Sequence, residues 1–389
     1  MGMRGSARRP AVMVVYGTRP EAIKSAPLVT GLRARGRVDV ITTVTGQHRT
    51  MLDQVNAVFG ITPSHDLDLF EPGQGIESIV AKTLVRLTPI LRSEQPKAVV
   101  VHGHTSTANA AAQAAFYAGL PVVHLEAGLR TYDVSSPFPE EANRQIITRL
   151  SALHLAPTER NRHALLAERV AAEDIVVTGN TVIDALHQVV AGIAPVKLPE
   201  DEQRVLVTLH RRENLGPVMA GIAAALARVA RESPRARFVV PLHLNPAVRS
   251  VVIPHLEGLA NVEIHDPMDY LTFVGELSRC RIVVSDSGGL QEEGPGLGKP
   301  VLVARNTTER PEAIEAGTAR LVGTDGDVVY TELRRLLDDE AAYAAMANAV
   351  NPYGDGAAVP RCAAAIEALL GVGEREPDFC YTGGDAVLA

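Results

Sequence analysis

The chemistry-bearing residues of this chain fall in short segments, most of them just after a β-branched apolar run. Glu126 ends such a run in HLEAGLRT (124–131), where a carboxylate is costly unless it is hydrogen-bonded or does chemistry. Glu140 and Glu141 follow Pro139 in SPFPEEANR (136–144) at an expected helix start. The helix dipole favours acids there, so one of the two has an ordinary reading as a first-turn acid. Paired carboxylates in a cleft could do acid/base work on a sugar. Arg130 and Arg144 stand nearby and could pair with them or with phosphate. His104, in VHGHTSTANA (101–110), sits at another expected strand end, with Thr105, Ser106 and Thr107 as candidate caps for the next helix. A lone histidine is more often structural, but this one is placed among the other motifs.

A second group of segments suits anions. In YGTRPEAIK (16–24) a strand runs into Gly17 and Pro20 suits a first helical turn. Such a turn offers backbone N–H groups and a helix dipole, and Arg19 and Lys24 add charge. In TGQHR (45–49), Gln47 and His48 could contact sugar or phosphate. TLHRRENLG (208–216) offers His210, Arg211, Arg212 and Glu213. In SDSGGLQEEGPGLGKP (285–300), Ser287, Gly288 and Gly289 would let backbone N–H groups approach a diphosphate. Glu292 and Glu293 follow, where a carboxylate could take ribose hydroxyls, and TTERPEA (307–313) brings Arg310 close. The chain has no GxGxxG to support a nicotinamide site, no GK[ST] to complete a P-loop, and neither HExxH nor Cys/His clusters for a metal.

These segments need a scaffold that brings strand ends together. Apolar runs at 11–16, 38–44, 98–102, 122–126 and 175–178 read as buried parallel strands, with 20–35 and 106–118 as helices. The pattern restarts at 204–208, 237–241, 262–265, 282–285 and 300–303. The Pro-rich, charged stretch 191–202 reads as a linker. The expected architecture is α/β: residues 1–190 and 191–359 as two Rossmann-like doubly wound domains facing a central cleft. Ligands in such folds bind beyond the carboxyl ends of the strands. A last helix at 360–370 is expected to pack back on the first domain, and the tail after Gly371 to be poorly ordered at its end.

Composition agrees with a soluble protein of this size: 389 residues, 46% hydrophobic and 21% charged. A net charge of −7 argues against a surface that coats nucleic acid. Three cysteines without ligand spacing fit a reduced compartment. No run of about 18 apolar residues and no signal-peptide pattern is present, so a cytoplasmic protein is expected.

In order and spacing, GTRPEAIK, GQHR, EAGLRT, PFPEEANR, TGNTVIDAL, TLHRREN, DSGGLQEE, TTERPEA and NPYGDG resemble the non-hydrolysing UDP-N-acetylglucosamine 2-epimerases. The resemblance spans about residues 12–370. It implies a GT-B-like pair of domains and a homodimer. It also implies interconversion of UDP-N-acetylglucosamine and UDP-N-acetylmannosamine without a redox cofactor or metal. UDP leaves as the C2 proton is removed, and adds back to bound 2-acetamidoglucal after reprotonation on the other face. Position by position, it makes Arg19, Lys24, Arg144, His243, Ser287, Gly288, Gly289, Glu293 and Arg310 contacts to the UDP-sugar, with Tyr270 lining the uracil pocket. It makes His104, Glu126, Glu140 and His210 catalytic.

The chain departs from the family in one motif. The family reads GDT where this chain reads GHT, so His104 replaces a catalytic aspartate. The site thereby loses a negative charge, although an imidazole of ordinary pKa about 6.5 could itself act as a base. The exchange could also mark another substrate, or a protein that binds sugar nucleotides without turnover. A hydrolysing epimerase and a GT-B glycosyltransferase are the remaining alternatives. Some family members bind a second UDP-N-acetylglucosamine as activator, where Gln47 and His48 would lie. Thr50 and Gly73 depart from the polar or basic side chains expected there, so weak or absent activation is expected.

Overall fold

The structure is a computed structural model that describes residues 9–46, 49–71, 73–196, 198–199 and 202–383. It divides into two compact units, Met1–Ala185 with Gly354–Cys380, and Leu186–Tyr353 with Tyr381–Ala389.

The sheet of the first unit has strands β1 (Ala11–Tyr16), β2 (Asp39–Val44), β3 (His65–Asp66), β4 (Ala98–His102), β5 (Val122–Leu125), β6 (Ser151–Ala156) and β7 (Ile175–Val177). All pair in parallel in the order β3-β2-β1-β4-β5-β6-β7. The chain reverses direction across the sheet between β1 and β4, the kind of switch point where open α/β sheets bind ligands. Val12 to Val15 and Val99 to Val101 are almost wholly buried, as strands covered on both faces must be.

The second unit repeats the pattern with β8 (Gln203–Thr208), β9 (Ala236–Pro241), β10 (Val262–His265), β11 (Ile282–Ser285), β12 (Val301–Val303) and β13 (Ala319–Leu321). Its order is β10-β9-β8-β11-β12-β13, with the switch between β8 and β11. The strands and helices expected from apolar runs are present, shifted by a residue or two at their ends. Three strands do not read as strands in the sequence. β3 has two residues, β6 starts with polar, partly exposed Ser151, and β13 carries exposed Arg320 in a stretch of three.

The C-terminal helix, Ala358–Leu369, belongs to the first unit and lies against the helix Arg19–Arg35. The approach is close at Gly31, where a Cβ would stand 2.4 Å from Val359 Cγ1. The Asp184 carboxylate accepts the N–H groups of Ala358 and Val359 at 3.2 and 2.9 Å and so caps the helix. Glu367 is fully buried, and Arg35 grips it through two nitrogens at 2.8 Å.

The tail after Gly371 is fastened to the first unit as far as Cys380. Phe379 donates its N–H to the Val177 carbonyl at 2.7 Å, satisfying the outer edge of β7. Its ring is buried, 5.4 Å from the Arg361 guanidinium. Glu376 and Asp378 pair with Arg35 and Arg162. A free sheet edge and one aromatic side chain outweigh the polarity of the segment. Residues 384–389 lie outside the described residues. Among the described residues, no helix is long and apolar enough to cross a membrane.

Candidate active site

In the first unit the groups of interest stand at the carboxyl ends of β4 and β5. Glu126 follows β5 with φ +63°, a left-handed conformation unusual for a residue with a side chain. Its side chain is buried and clamped. Lys24 Nζ pairs with Oε1, Asn180 Nδ2 donates to Oε1 at 2.9 Å, and His102 Nε2 stands 3.2 Å from Oε2. Burial alone would raise this carboxyl, but Lys24 and His102 overcome that and hold it well below the usual range. Glu126 is therefore a fixed anion.

Glu140 is the contrasting group. It opens the helix Glu140–Leu150, half-buried, and its carboxylate has no ion-pair or hydrogen-bond partner among the described residues. Its neighbour Glu141 is the first-turn acid with a structural duty. Fully buried, it accepts the N–H groups of Thr131 and Tyr132 at 3.0 and 3.2 Å, Arg144 Nη1 at 2.8 Å and Gln145 at 3.0 Å. Arg144 lies one turn after Glu140 and is buried, with no partner for its Nε. Arg130 pairs with Glu168 at 2.6 Å, and so does not serve either acid of the pair.

His104 follows β4 directly. Asn143 donates to its carbonyl at 3.0 Å, which ties the helix carrying Glu140 to this turn. The half-buried imidazole makes no hydrogen bond among the described residues. Burial and the adjacent Arg144 charge push it down to about 3, despite the opposing pull of Glu126, so it is neutral at pH 7.

The turn of GTRPEAIK differs from expectation. Its Gly17 and Thr18 N–H groups, read as free for a bound anion, donate to the Glu21 carboxylate at 3.0 and 2.7 Å. Thr105 Oγ1 donates to the other oxygen of Glu21 at 2.6 Å. The protein supplies its own anion there. Gly17 is required because a Cβ would fall 1.8 Å from Thr45 Oγ1. Arg19 starts the following helix, half-buried, and Lys24 is engaged by Glu126.

In the second unit the corresponding turns are arranged differently. Gly288 and Gly289 follow β11, and their N–H groups have no acceptor among the described residues. Ser287 donates its own N–H to Ser285 Oγ at 2.9 Å. A Cβ on Gly288 would meet Arg310 Nη1 at 2.6 Å and Glu309 Oε1 at 2.9 Å, so this glycine lets Arg310 reach the backbone. Arg310 is held by Glu292 and by Glu309 at 3.0 Å. Against burial, Arg310 and Arg305 keep Glu309 down to about 2. Glu293 lies over Gly289, with Oε1 3.4 Å from where a Cβ would be.

His210 follows β8, and its ring stacks beside His243 with centroids 6.4 Å apart. His243 Nδ1 accepts the Asn245 N–H at 3.1 Å, leaving Nε2 outward. His210 Nδ1 stands 3.0 Å from Oδ1 of Asp286, which is fully buried. Tyr270 opens the helix Tyr270–Arg279, buried behind the Asp269 cap.

The structure thus gathers Lys24, His104, Glu126, Glu140 and Arg144 in one unit. It gathers His210, His243, Ser287, Gly288, Gly289, Glu293 and Arg310 in the other. Gln47 and His48 lie outside the described residues. Asp286, Asn180, His102 and Glu21 escaped the sequence reading as individuals. Each lies in or beside a quoted motif; for Asp286, Asn180 and His102 the available signal was a polar residue at or just after an apolar strand, and for Glu21 it was the capping-box spacing from Thr18. Among the described residues no group of His, Cys, Asp or Glu could hold a metal ion.

Two doubly wound parallel sheets with polar groups at the carboxyl ends of their strands define a GT-B-like nucleotide-sugar protein. The chain belongs to the UDP-N-acetylglucosamine 2-epimerase family, whose model matches residues 30–367. It is 50% identical over 372 residues to a probable UDP-N-acetylglucosamine 2-epimerase of Ralstonia nicotianae, covering 92% of this chain and 99% of that one. It is 48% identical over 371 residues to the Escherichia coli K12 UDP-N-acetylglucosamine 2-epimerase, covering 92% and 98%. Among solved structures, a Neisseria meningitidis UDP-GlcNAc 2-epimerase bound to UDP-GlcNAc superposes with a TM-score of 0.85 at 42% identity, over 93% of this chain and all of that one. A Listeria monocytogenes relative gives 0.91 at 41% identity, over 96% of this chain and all of that one.

Proposed function

We propose that the protein interconverts UDP-N-acetylglucosamine and UDP-N-acetylmannosamine by eliminating UDP and adding it back. The observation that carries the mechanism is the contrast between the clamped anion Glu126 and Glu140, which has no partner among the described residues. Glu140 takes the proton from C2. The C–H electron pair becomes the C1=C2 double bond, and the C1–O pair leaves with UDP. Positive charge develops at C1 and the ring oxygen, where the fixed Glu126 anion stabilises it without reorganising. The products, 2-acetamidoglucal and UDP, stay bound. A proton delivered to the opposite face of C2 and return of UDP to C1 complete the inversion. No oxidation state changes over the cycle, so no redox cofactor is called for.

The sugar end of the substrate falls to Glu126, Glu140, His104, Lys24 and Arg144. The nucleotide end falls to Ser287, Gly288, Gly289, Glu293, Arg310, His243 and Tyr270, with Arg19 completing the phosphate contacts. The free Gly288 and Gly289 amides favour this division, since those of Gly17 and Thr18 are already used by Glu21. We assign the opposite-face proton to His104. A group pushed down to about 3 is rarely protonated at pH 7, so reprotonation becomes the slow step. We further infer a cytoplasmic homodimer, with Gln47 and His48 beside any activator site.

Proton NMR with UDP-N-acetylglucosamine in D₂O tests the reading. UDP-N-acetylmannosamine with deuterium at C2 is the expected product. Free N-acetylmannosamine released in step with UDP would identify hydrolysis instead. UDP binding without exchange or product would reduce the protein to a sugar-nucleotide binder.

A further inference from the structure

His210 stands on an element that leaves its ring little choice. The backbone N–H groups of His210 and Arg211 both point at Asp286, the first at 3.1 and 3.0 Å from the two carboxylate oxygens and the second at 2.9 Å from Oδ2. Asn214 Nδ2 reaches the same Oδ2 at 3.3 Å and also holds the Ala304 carbonyl at 3.1 Å. The Asp286 carboxylate is fully buried, yet Oδ1 is turned to His210 Nδ1 at 3.0 Å. Burial would raise this carboxyl, but His210 and the two amides keep it below the usual range, so it is an acceptor throughout the neutral pH range. An ionised carboxylate 3.0 Å from Nδ1 favours a proton there. The His210 side chain is 40% exposed, and its Nε2 has no hydrogen-bond partner among the described residues.

We propose that Asp286 is a positioning residue for the reaction. It locks His210 in the Nδ1–H form and compensates the imidazolium charge, so that Nε2 is presented to the diphosphate oxygen that receives the C1–O electron pair. A proton on Nε2 is shared with that oxygen as UDP departs and is released as UDP adds back. Asp286 itself touches no reacting atom. The arrangement follows the logic by which a buried carboxylate fixes the tautomer of a catalytic histidine in a hydrolase triad. The inference rests on the epimerase reading, because it needs a departing diphosphate.

The wild-type enzyme provides the first test and needs no variant. Long-range ¹H–¹⁵N correlation spectra of histidine-labelled protein should show His210 protonated at Nδ1, and a neutral Nε2–H tautomer would overturn the proposal. The second test is Asp286→Asn, whose carboxamide has the same shape and keeps an oxygen for the backbone N–H groups. Its kcat is expected to fall about 10²-fold or more with KM changed less than threefold. In a His210→Asn background the same change should have almost no further effect, since it acts through His210. Additive losses in the double variant, or a loss of kcat matched by a lowered melting temperature and weakened UDP binding, would make Asp286 structural only. Wild-type turnover in the same assay separates this from failure of the epimerase reading: an inactive wild type with the Nδ1–H form intact refutes the reading, not the geometry.

Discussion

At the scale of single residues, the site divides its acids by how much of each the protein already uses. Glu140 has no hydrogen-bond or ion-pair partner among the described residues, so Glu140→Gln should leave the melting temperature unchanged. It should slow C2 proton exchange into D₂O by about 10²–10⁴-fold, the usual worth of a general base. Glu126→Gln should cost stability as well as rate, because it removes the carboxylate paired with largely buried Lys24, a loss of about 3 kcal/mol measurable by urea unfolding. The pH dependence has a defined sign. Glu126 is depressed in the folded state, so its stabilisation is complete above the ordinary carboxylate value of about 4.3 and disappears as pH falls through its lowered value. His104 adds to the acid sensitivity. Unfolded, it takes a proton near pH 6.5, whereas folded it resists until about 3, so falling pH across that window favours unfolding. His104→Asn should therefore lose less stability between pH 6.5 and pH 3 than the wild type. For catalysis, His104→Asp should raise turnover and reduce the 2-acetamidoglucal and UDP found by chromatography in quenched reactions. Lower turnover in that variant would mark the histidine as an adapted catalytic group.

At the scale of elements, two strand-to-helix turns with glycine look equivalent in sequence and differ in the structure. The turn at Gly17 is closed by Glu21 and Thr105, and only a hydrogen atom fits against Thr45. Gly17→Ala should therefore act on folding, lowering the melting temperature by several degrees or abolishing soluble expression. The turn at Gly288 is open, and the atoms a methyl would meet are the movable ends of Arg310 and Glu309. Gly288→Ala should leave the melting temperature nearly unchanged while raising KM, or the Kd for UDP by calorimetry, about tenfold, as one displaced arginine contact would. Contacts to the preceding loop set the helix carrying Glu140: Glu141 is consumed by the N–H groups of Thr131 and Tyr132, which its neighbour is not.

At the scale of the whole chain, the C-terminal segment returns to the first unit and is fastened at both ends. Asp184 caps the start of its helix, and Phe379 closes on β7. Arg35→Met should destabilise by about 3 kcal/mol, since Glu367 would remain fully buried with only Arg37, at 3.3 Å, to answer its charge. Ending the chain at Gly371 should also lower the melting temperature, through loss of the Phe379 and Glu376 contacts. A truncated protein that melted with the wild type would refute that role for the tail.

The sequence by itself determined the repeating strand and helix pattern, because buried parallel strands demand continuous apolar runs, and it determined the family, because its motifs keep their order and spacing. It could not reveal β3 and β13, which have two and three residues, nor β6, whose apolar residues are interrupted by Ser151 and His154. Nor could it say which acid of a pair is free. Glu140 and Glu141 are identical in local sequence terms, and only the packing that buries Glu141 against Thr131, Tyr132 and Arg144 separates them. Anion sites divide between the two. Gly17 and Gly288 each read as a turn with open N–H groups; the first is filled by Glu21 of a local capping box that the spacing of Thr18 and Glu21 already carried, and the tertiary structure decided only that Thr105 closes over it. It likewise decided the pairing of Asp286 with His210, two residues 76 positions apart that meet only because β8 and β11 are neighbours in the sheet.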